Sequence, residues 1–198
     1  MNYLAHAYLS YGDPGLLVGN MISDFVKGRA RFDYPPAIAA GIELHRRIDA
    51  FTDNHPATAA AKEFFRPRYR LYSGPIVDVV YDHFLANDAG AFPDFDHLER
   101  FTEKTYATIE RHADALPEGF ARIFPYMRQH NWLFNYRHSE GIGRSLAGLA
   151  RRAAWMGSSD EAATLLTAHR AELRACYEAF APDVKAFAKM EGAALRQG

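Results

Sequence analysis

Proline, glycine and helix-capping residues divide this chain into helical segments, and they constrain its fold more than any other sequence feature. Asp13-Pro14 has the pattern of an N-cap followed by proline at the first helical position, and Gly28 stands where a glycine commonly ends a helix. A helix is therefore predicted over residues 14–27. A second helix is predicted from Pro36 to just before His55-Pro56, because a residue preceding proline disfavours the helical region.

Proline, glycine and capping residues also mark helix ends in the rest of the chain. A third helix is predicted from Gly74-Pro75 to about Asn87, and Ser158 followed by Glu161 has capping-box spacing. Further helix starts are predicted at Pro93-Asp94, Pro117-Glu118, Gly141 and Pro182-Asp183. No segment alternates apolar and polar residues over the length of a strand, and no Asn-Gly or Asp-Gly hairpin turn occurs. The sequence predicts a single all-α domain over residues 1–198, with about eight helices.

Composition excludes several classes of protein. The 198 residues are 48% hydrophobic and 24% charged, as in ordinary globular domains. Lys and Arg number 23 against 24 Asp and Glu, so composition gives no indication of nucleic-acid or membrane binding. Cys176 is the only cysteine, which predicts a reducing, cytoplasmic setting. Neither a secretory signal nor a membrane-spanning segment is expected, because no sufficiently long apolar run occurs.

The second predicted helix carries a ridge of acidic and imidazole side chains. At about 100° per residue, His45, Asp49 and Asp53 lie on one face, which Ile38 and Ile42 continue. The isoleucines indicate that this face packs against protein. Burying two carboxylates and an imidazole is costly unless a cation compensates them. Either a metal ion or arginine could be that cation, so arginine pairing on a solvated face remains the alternative to a metal site.

The neighbouring helices carry further candidates. Asp78 and Asp82 are i, i+4 neighbours on the third predicted helix, and Asp24 lies on the first. His83 is about 100° round from Asp82 and is equally interpretable as a core histidine. Mixed imidazole and carboxylate ligands suit Mn²⁺, Fe²⁺ or Zn²⁺. The residues predicted as metal ligands are Asp24, His45, Asp49, Asp78 and Asp82.

Four motifs resemble those of the acyl carrier protein phosphodiesterases, also called acyl carrier protein hydrolases. They are Asn2-Tyr3-Leu4-Ala5-His6, the Gly19-Asn20 segment through Asp24 to Lys27-Gly28, the Gly41-Ile42 segment through His45 to Asp53, and Tyr81-Asp82-His83-Phe84-Leu85. The resemblance extends along most of the chain. It implies an all-α, metal-dependent hydrolase placed with the HD phosphatase and phosphodiesterase superfamily. Typical members of that superfamily have an adjacent His-Asp pair, which is absent here, so their ligand set does not transfer position by position.

The resemblance implies a reaction and a partner. The substrate would be holo-acyl carrier protein, whose 4'-phosphopantetheine–serine phosphodiester is hydrolysed to give apo-acyl carrier protein and 4'-phosphopantetheine, a reaction of fatty acid and lipid metabolism. Mn²⁺ is the expected cofactor, with Mg²⁺, Fe²⁺ and Zn²⁺ as alternatives. The metal would neutralise a phosphate oxygen and lower the pKa of a bound water.

Residue roles follow from that chemistry. Asp53 or Asp82 is predicted to accept the proton of the attacking water, and His83 or His6 to protonate the leaving oxygen. Lys27 and Arg46 are predicted to bind the phosphate. Substrate binding is also predicted for Asn20, Arg29 and Arg31, the two arginines docking an acidic, helical carrier protein.

Two other functions remain open on the sequence alone. An HD-type phosphohydrolase acting on a nucleotide or small phosphate ester would use the same metal chemistry. A helical module that binds carrier proteins without catalysis would keep the basic residues but tolerate an imperfect His/Asp set. The lack of a glycine-rich phosphate loop argues only against P-loop chemistry.

Overall fold

Helices joined by short turns make up the parts of the chain that the computed structural model describes, residues 1–152 and 156–197. No β-strand occurs within these two ranges, which confirms the all-α prediction. Within them, no helix is both long and apolar enough to cross a bilayer.

Twelve α-helices occur in the described ranges, more than the eight or so expected. They are α1 (Tyr3–Tyr8), α2 (Pro14–Ile22), α3 (Pro36–Asn54), α4 (Pro56–Glu63), α5 (Arg66–Tyr69), α6 (Ser73–Ala86), α7 (Phe95–Glu110), α8 (Glu118–Gln129), α9 (Trp132–Asn135), α10 (Ser139–Arg152), α11 (Ser159–Ala168) and α12 (Arg170–Gln197). Short 3₁₀ turns occupy Ser23–Phe25, Gly28–Asp33, Arg70–Tyr72 and Ala113–Ala115. Helices as short as α5 and α9 contain about one turn, so hydrophobic periodicity does not reveal them.

The first long helix ends earlier than its punctuation predicts. The Asp13 side chain caps α2 by accepting from the Leu16 N–H at 2.9 Å, as expected. However, α2 ends at Ile22 rather than residue 27, and the chain is extended at Val26 before Gly28 takes a φ of 55°. Contacts with α3 redirect this segment, because Arg46 Nη2 donates to the Val26 carbonyl at 2.9 Å. The helix boundary is therefore set by tertiary contacts.

The last helix begins well before the predicted start at Pro182-Asp183. It starts at Arg170 and continues through Pro182. Buried side chains on both sides of the proline form one stripe at helical spacing, namely Leu173, Tyr177, Phe180, Val184 and Ala188. Packing of this stripe outweighs the loss of one backbone hydrogen bond.

Glycines let α2 and α3 approach closely. A Cβ at Gly41 would lie 2.5 Å from the Leu16 carbonyl oxygen, and a Cβ at Gly19 would come still closer to the Ile38 carbonyl oxygen. Neither position therefore tolerates a side chain without displacing backbone. This contact brings the end of α2, with Asn20, against the middle of α3, with His45.

Candidate metal centre

Two histidines from distant parts of the sequence meet in the interior. His6 of α1 and His45 of α3 stack with ring centroids 3.8 Å apart and an interplanar angle of 14°. The two residues are only 2% and 6% exposed. Two positive charges on buried, stacked imidazoles would repel each other, so the two rings are not both protonated. Their hydrogen bonds decide which ring nitrogen carries a proton.

Each imidazole has its Nδ1 facing an oxygen of Asn20. His6 Nδ1 lies 2.7 Å from the Asn20 side-chain Oδ1, and His45 Nδ1 lies 2.8 Å from the Asn20 backbone oxygen. A carbonyl oxygen only accepts, so each Nδ1 carries the proton. In the neutral imidazole the lone pair is then on Nε2.

The two Nε2 atoms converge on Asp49. His6 Nε2 is 3.2 Å from Asp49 Oδ1, and His45 Nε2 is 3.1 Å from Asp49 Oδ2 and 3.2 Å from Asp24 Oδ1. Both Nε2 atoms are buried and neither makes a hydrogen bond of acceptable geometry in the described structure. Ligand atoms of His6, His45 and Asp49 lie within 4.8 Å of one another. Two buried imidazole nitrogens without hydrogen-bond partners and a carboxylate fit a divalent transition metal, since this is the donor set such ions prefer.

The electrostatics of the cluster favour a cation. Burial alone would lower the pKa of His45, but the adjacent carboxylates of Asp24 and Asp49 raise that pKa to about 9. Burial opposes ionisation of Asp49, yet the two imidazoles hold the pKa of its carboxyl well below the usual range. Burial, together with the nearby charge of His45, lowers the pKa of His6. The carboxylates are therefore ionised and attract positive charge into the cluster.

Asp24 and Asp78 lie at the rim of the cluster. The Asp24 side chain is 67% exposed, whereas that of Asp78 is 29% exposed. The Met1 ammonium group joins Asp78 to the cluster, at 2.9 Å from Asp78 Oδ1 and 3.4 Å from Asp49 Oδ1. Asp24 thus contacts the cluster directly, whereas Asp78 is joined to it through the Met1 ammonium group.

Asp82 is occupied with the backbone of α1. Its carboxylate accepts from the N–H groups of Leu4 at 2.8 Å, Ala5 at 3.2 Å and Asn2 at 3.4 Å. Burial raises the pKa of Asp82 to about 7, against these donors, which lower it. The residue is fully buried, so it anchors the helix that carries His6 and does not join the imidazole cluster.

The other residues expected to take part in proton transfer lie outside the cluster. His83 faces a different part of the core, where its Nδ1 lies 2.7 Å from the Tyr136 carbonyl oxygen and its Nε2 3.1 Å from Arg170 Nη1. Asp53 is exposed and pairs with Lys62 at 2.7 Å. The structure therefore does not bring either side chain together with His6 and His45.

The predicted substrate-binding residues differ in their exposure. Asn20 is completely buried, and its contacts are internal to the fold. Arg46 is half-buried and donates to the carbonyls of Val26 and Gly28 behind the Asp24 turn. Lys27 and Arg29 are exposed on the following turn, and Arg31 pairs with Glu43. Exposed cationic side chains thus follow Asp24 along the chain.

The sequence does not predict that His6 meets His45, and it does not identify Ser10. No helical periodicity connects His6 to α3, so its position in the Asn2–His6 motif is the signal that singles it out. Ser10 Oγ accepts from Asn20 Nδ2 at 3.1 Å and donates to the His6 carbonyl at 2.8 Å, which no spacing rule predicts.

Comparison with known proteins identifies the family. Residues 1–184 match the family described as Acyl carrier protein phosphodiesterase. The chain belongs to this family. It is 38% identical over 152 residues to an acyl carrier protein phosphodiesterase of Serratia proteamaculans, covering 77% of this chain and 79% of the relative. It is 31% identical over 182 residues to that of Photorhabdus laumondii, covering 92% of each chain.

Family membership makes the chain an enzyme. A relative from Klebsiella pneumoniae carries the same description, at 38% identity over 155 residues, 77% of this chain and 79% of the relative. No solved structure matches the chain significantly, so the expected likeness to HD domains stays a prediction.

Proposed function

We propose that this enzyme hydrolyses the phosphodiester between 4'-phosphopantetheine and serine in holo-acyl carrier protein. The products are apo-acyl carrier protein and 4'-phosphopantetheine, and the reaction depends on a divalent metal, with Mn²⁺ expected. Family membership supports the phosphodiesterase chemistry and the carrier-protein substrate. The observation that carries the metal requirement is the convergence of His6 Nε2 and His45 Nε2, both without hydrogen-bond partners, on Asp49.

His6, His45 and Asp49 would hold the metal, with Asp24 and Asp78 beside it. When bound, the ion supplies charge neutralisation at a phosphate oxygen and a lowered pKa for a coordinated water. This assignment moves His6 from proton donor to ligand. It also removes Asp82 from the ligand set, because that carboxylate is occupied by backbone N–H groups.

Asp24 is the side chain best placed to accept the proton of the attacking water. It is exposed at the rim and lies 3.2 Å from His45 Nε2, and this close imidazole holds the pKa of its carboxyl below the usual value, so it is ionised. Attack by water at phosphorus forms a new P–O bond and breaks the bond to the serine oxygen. The departing serine oxygen takes up a proton from solvent, and Asp24 releases to solvent the proton that it accepted from the attacking water. Lys27, exposed three residues beyond Asp24, binds the phosphate.

The turn Gly28–Asp33 supplies the docking surface for the carrier protein. Arg29 and Arg31 flank Phe32, with guanidinium carbons 6.0 Å and 4.7 Å from its ring centroid. Phe32 is 63% exposed. An apolar side chain between two cations suits an acidic, helical partner.

The decisive experiment incubates the purified enzyme with holo-acyl carrier protein and Mn²⁺ and follows the carrier protein by mass spectrometry. Loss of the phosphopantetheine arm is expected with Mn²⁺ and not with excess EDTA. The matched control is Asp49→Asn, which keeps the shape of the side chain but removes its charge. Turnover of a nucleotide, with no loss from the carrier protein under Mn²⁺, Mg²⁺, Fe²⁺ or Zn²⁺, would contradict the proposal.

A further inference from the structure

Asn20 contacts both histidines of the cluster at once. Its side-chain Oδ1 faces His6 Nδ1 at 2.7 Å, and its backbone oxygen faces His45 Nδ1 at 2.8 Å. Its Nδ2 donates to the His6 carbonyl at 2.8 Å and to Ser10 Oγ at 3.1 Å. The residue has no exposed surface, so all of these contacts are internal to the fold.

The hydrogen bonds around Asn20 run in one direction only. Ser10 Oγ donates its single proton to the His6 carbonyl at 2.8 Å, so this oxygen is an acceptor toward Asn20. The amide nitrogen of Asn20 must therefore face Ser10 and the His6 carbonyl, because it is the only donor on the side chain. The amide oxygen then faces His6 Nδ1, which has to carry the proton.

We infer that Asn20 is a positioning residue that accepts from Nδ1 of both imidazoles, so that Nε2 of each ring, directed at Asp49, is the nitrogen left to bind a metal. The inference rests on the proposed metal-binding role of the cluster. Asn20 acts at a distance from the metal, as acceptors behind metal-bound histidines commonly do. Replacing its side chain should free His6 to adopt the other tautomer, in which Nε2 carries a proton and cannot bind a metal.

Asn87 offers a matched control. Like Asn20, it is an asparagine whose Nδ2 donates to a histidine carbonyl, in this case that of His83 at 2.9 Å. Its Nδ2 also lies 3.3 Å from His83 Nδ1. However, His83 Nε2 faces Arg170, so this pair has no lone pair directed at a carboxylate. Asn87→Leu removes an equivalent amide without touching the cluster.

The test measures Mn²⁺ affinity alone, in the absence of substrate, by electron paramagnetic resonance of the unbound ion. Asn20→Leu should weaken Mn²⁺ binding roughly 10- to 100-fold, whereas Asn87→Leu should leave it at the wild-type value. Asn20→Asp keeps an acceptor for His6 Nδ1 and should recover most of the lost affinity. This second variant also provides the test if the leucine variant does not fold.

A spectroscopic measurement separates positioning from general destabilisation. In the Zn²⁺-loaded protein labelled with ¹⁵N-histidine, wild type and Asn20→Asp should show His6 with a protonated Nδ1 and a metal-bound Nε2. Asn20→Leu should lose this signature for His6. Native affinity in folded Asn20→Leu, an equal loss in Asn87→Leu, or no Mn²⁺ binding by wild type would overturn the inference. Metal binding that depends on Asn20 without hydrolysis of carrier protein would overturn only the proposed function.

Discussion

The buried His6–His45 pair and the buried His83 have similar partners at Nδ1 but different partners at Nε2. At both the His6–His45 pair and His83, each Nδ1 faces a carbonyl oxygen. The Nε2 atoms of His6 and His45 then face ionised carboxylates, whereas His83 Nε2 faces Arg170. The Nε2 atoms of the first pair therefore lie where negative charge attracts a cation, while that of His83 already contacts a cationic side chain. The charge beside each imidazole, and not the imidazole itself, distinguishes the proposed metal site from a core histidine.

Removing the carboxylate should abolish the difference between the two environments. Asp49→Ala leaves both Nε2 lone pairs without their shared acidic partner, so we expect Mn²⁺ binding to be lost and turnover of holo-acyl carrier protein to fall on the order of 10³-fold or more. Mass spectrometry of the carrier protein measures this turnover. His83→Gln should retain Mn²⁺ affinity and near-normal turnover even where its melting temperature falls. Near-normal turnover by Asp49→Ala, with circular dichroism unchanged, would remove Asp49 from the site.

Asp82 and His83 are adjacent in sequence, but Asp82 holds the helix that carries His6, whereas His83 contacts Tyr136 and Arg170. Substitution of Asp82 should therefore affect the His6–His45 pair. Asp82→Ala leaves buried N–H groups at the start of α1 without an acceptor, which should lower the free energy of unfolding by about 3 kcal/mol. Because α1 carries His6, Mn²⁺ affinity should fall as well.

Urea denaturation followed by circular dichroism measures the effect of Asp82→Ala. The control is Asp88→Ala, another carboxylate of the same region, whose partners Tyr177 and Lys185 are on α12. It should cost less stability and leave Mn²⁺ affinity unchanged. Equal losses of affinity in the two variants would mean that Asp82 has no special relation to the site.

Sequence patterns predicted the ridge on α3 because helical spacing places His45 and Asp49 on one face irrespective of the rest of the fold. They did not predict the partner of that ridge. His6 reaches it through the packing of α1, which depends on a carboxylate 78 residues away from Leu4 in sequence. The early end of α2 and the passage of α12 through Pro182 have the same origin, since each depends on contacts between helices. Local rules therefore predict faces and approximate starts, and tertiary packing decides which faces meet.

The two environments should also respond to pH with opposite signs. The pKa of His45 is raised to about 9 in the folded protein without metal, so its stabilising contribution is present below about pH 6.5 and is lost as pH rises through 9. Burial lowers the pKa of His83, so the stability that this residue contributes is present above about pH 6.5 and is lost as pH falls.

Metal binding should depend on pH in the opposite direction to the stability that protonated His45 contributes, because the ion must displace the proton of His45. Mn²⁺ affinity should therefore rise about tenfold per pH unit between roughly pH 6.5 and 8.5. Calorimetry in buffers of different ionisation enthalpy measures the released proton. Asp24→Asn removes one of the carboxylates that raise the pKa of His45 and should reduce this slope. Affinity independent of pH would show that His45 is already neutral in the metal-free enzyme.

The smallest expected effect concerns the exposed cations on the turn that follows Asp24. Arg29 is exposed on the turn that follows Asp24, so Arg29→Glu should lower kcat/KM for holo-acyl carrier protein roughly three- to tenfold at low salt. Raising the salt concentration screens exposed charges and should erase most of this difference. Arg100→Glu, a charge reversal at another exposed arginine, on α7, should change neither kcat/KM nor its salt dependence.

Hydrolysis of a small diester such as bis(p-nitrophenyl) phosphate should be insensitive to Arg29→Glu and to salt, because that substrate lacks a protein surface to dock. Equal salt dependence for both substrates would place the basic turn outside the docking surface, and the two environments would then differ in the charge beside their imidazoles and not in a docking surface.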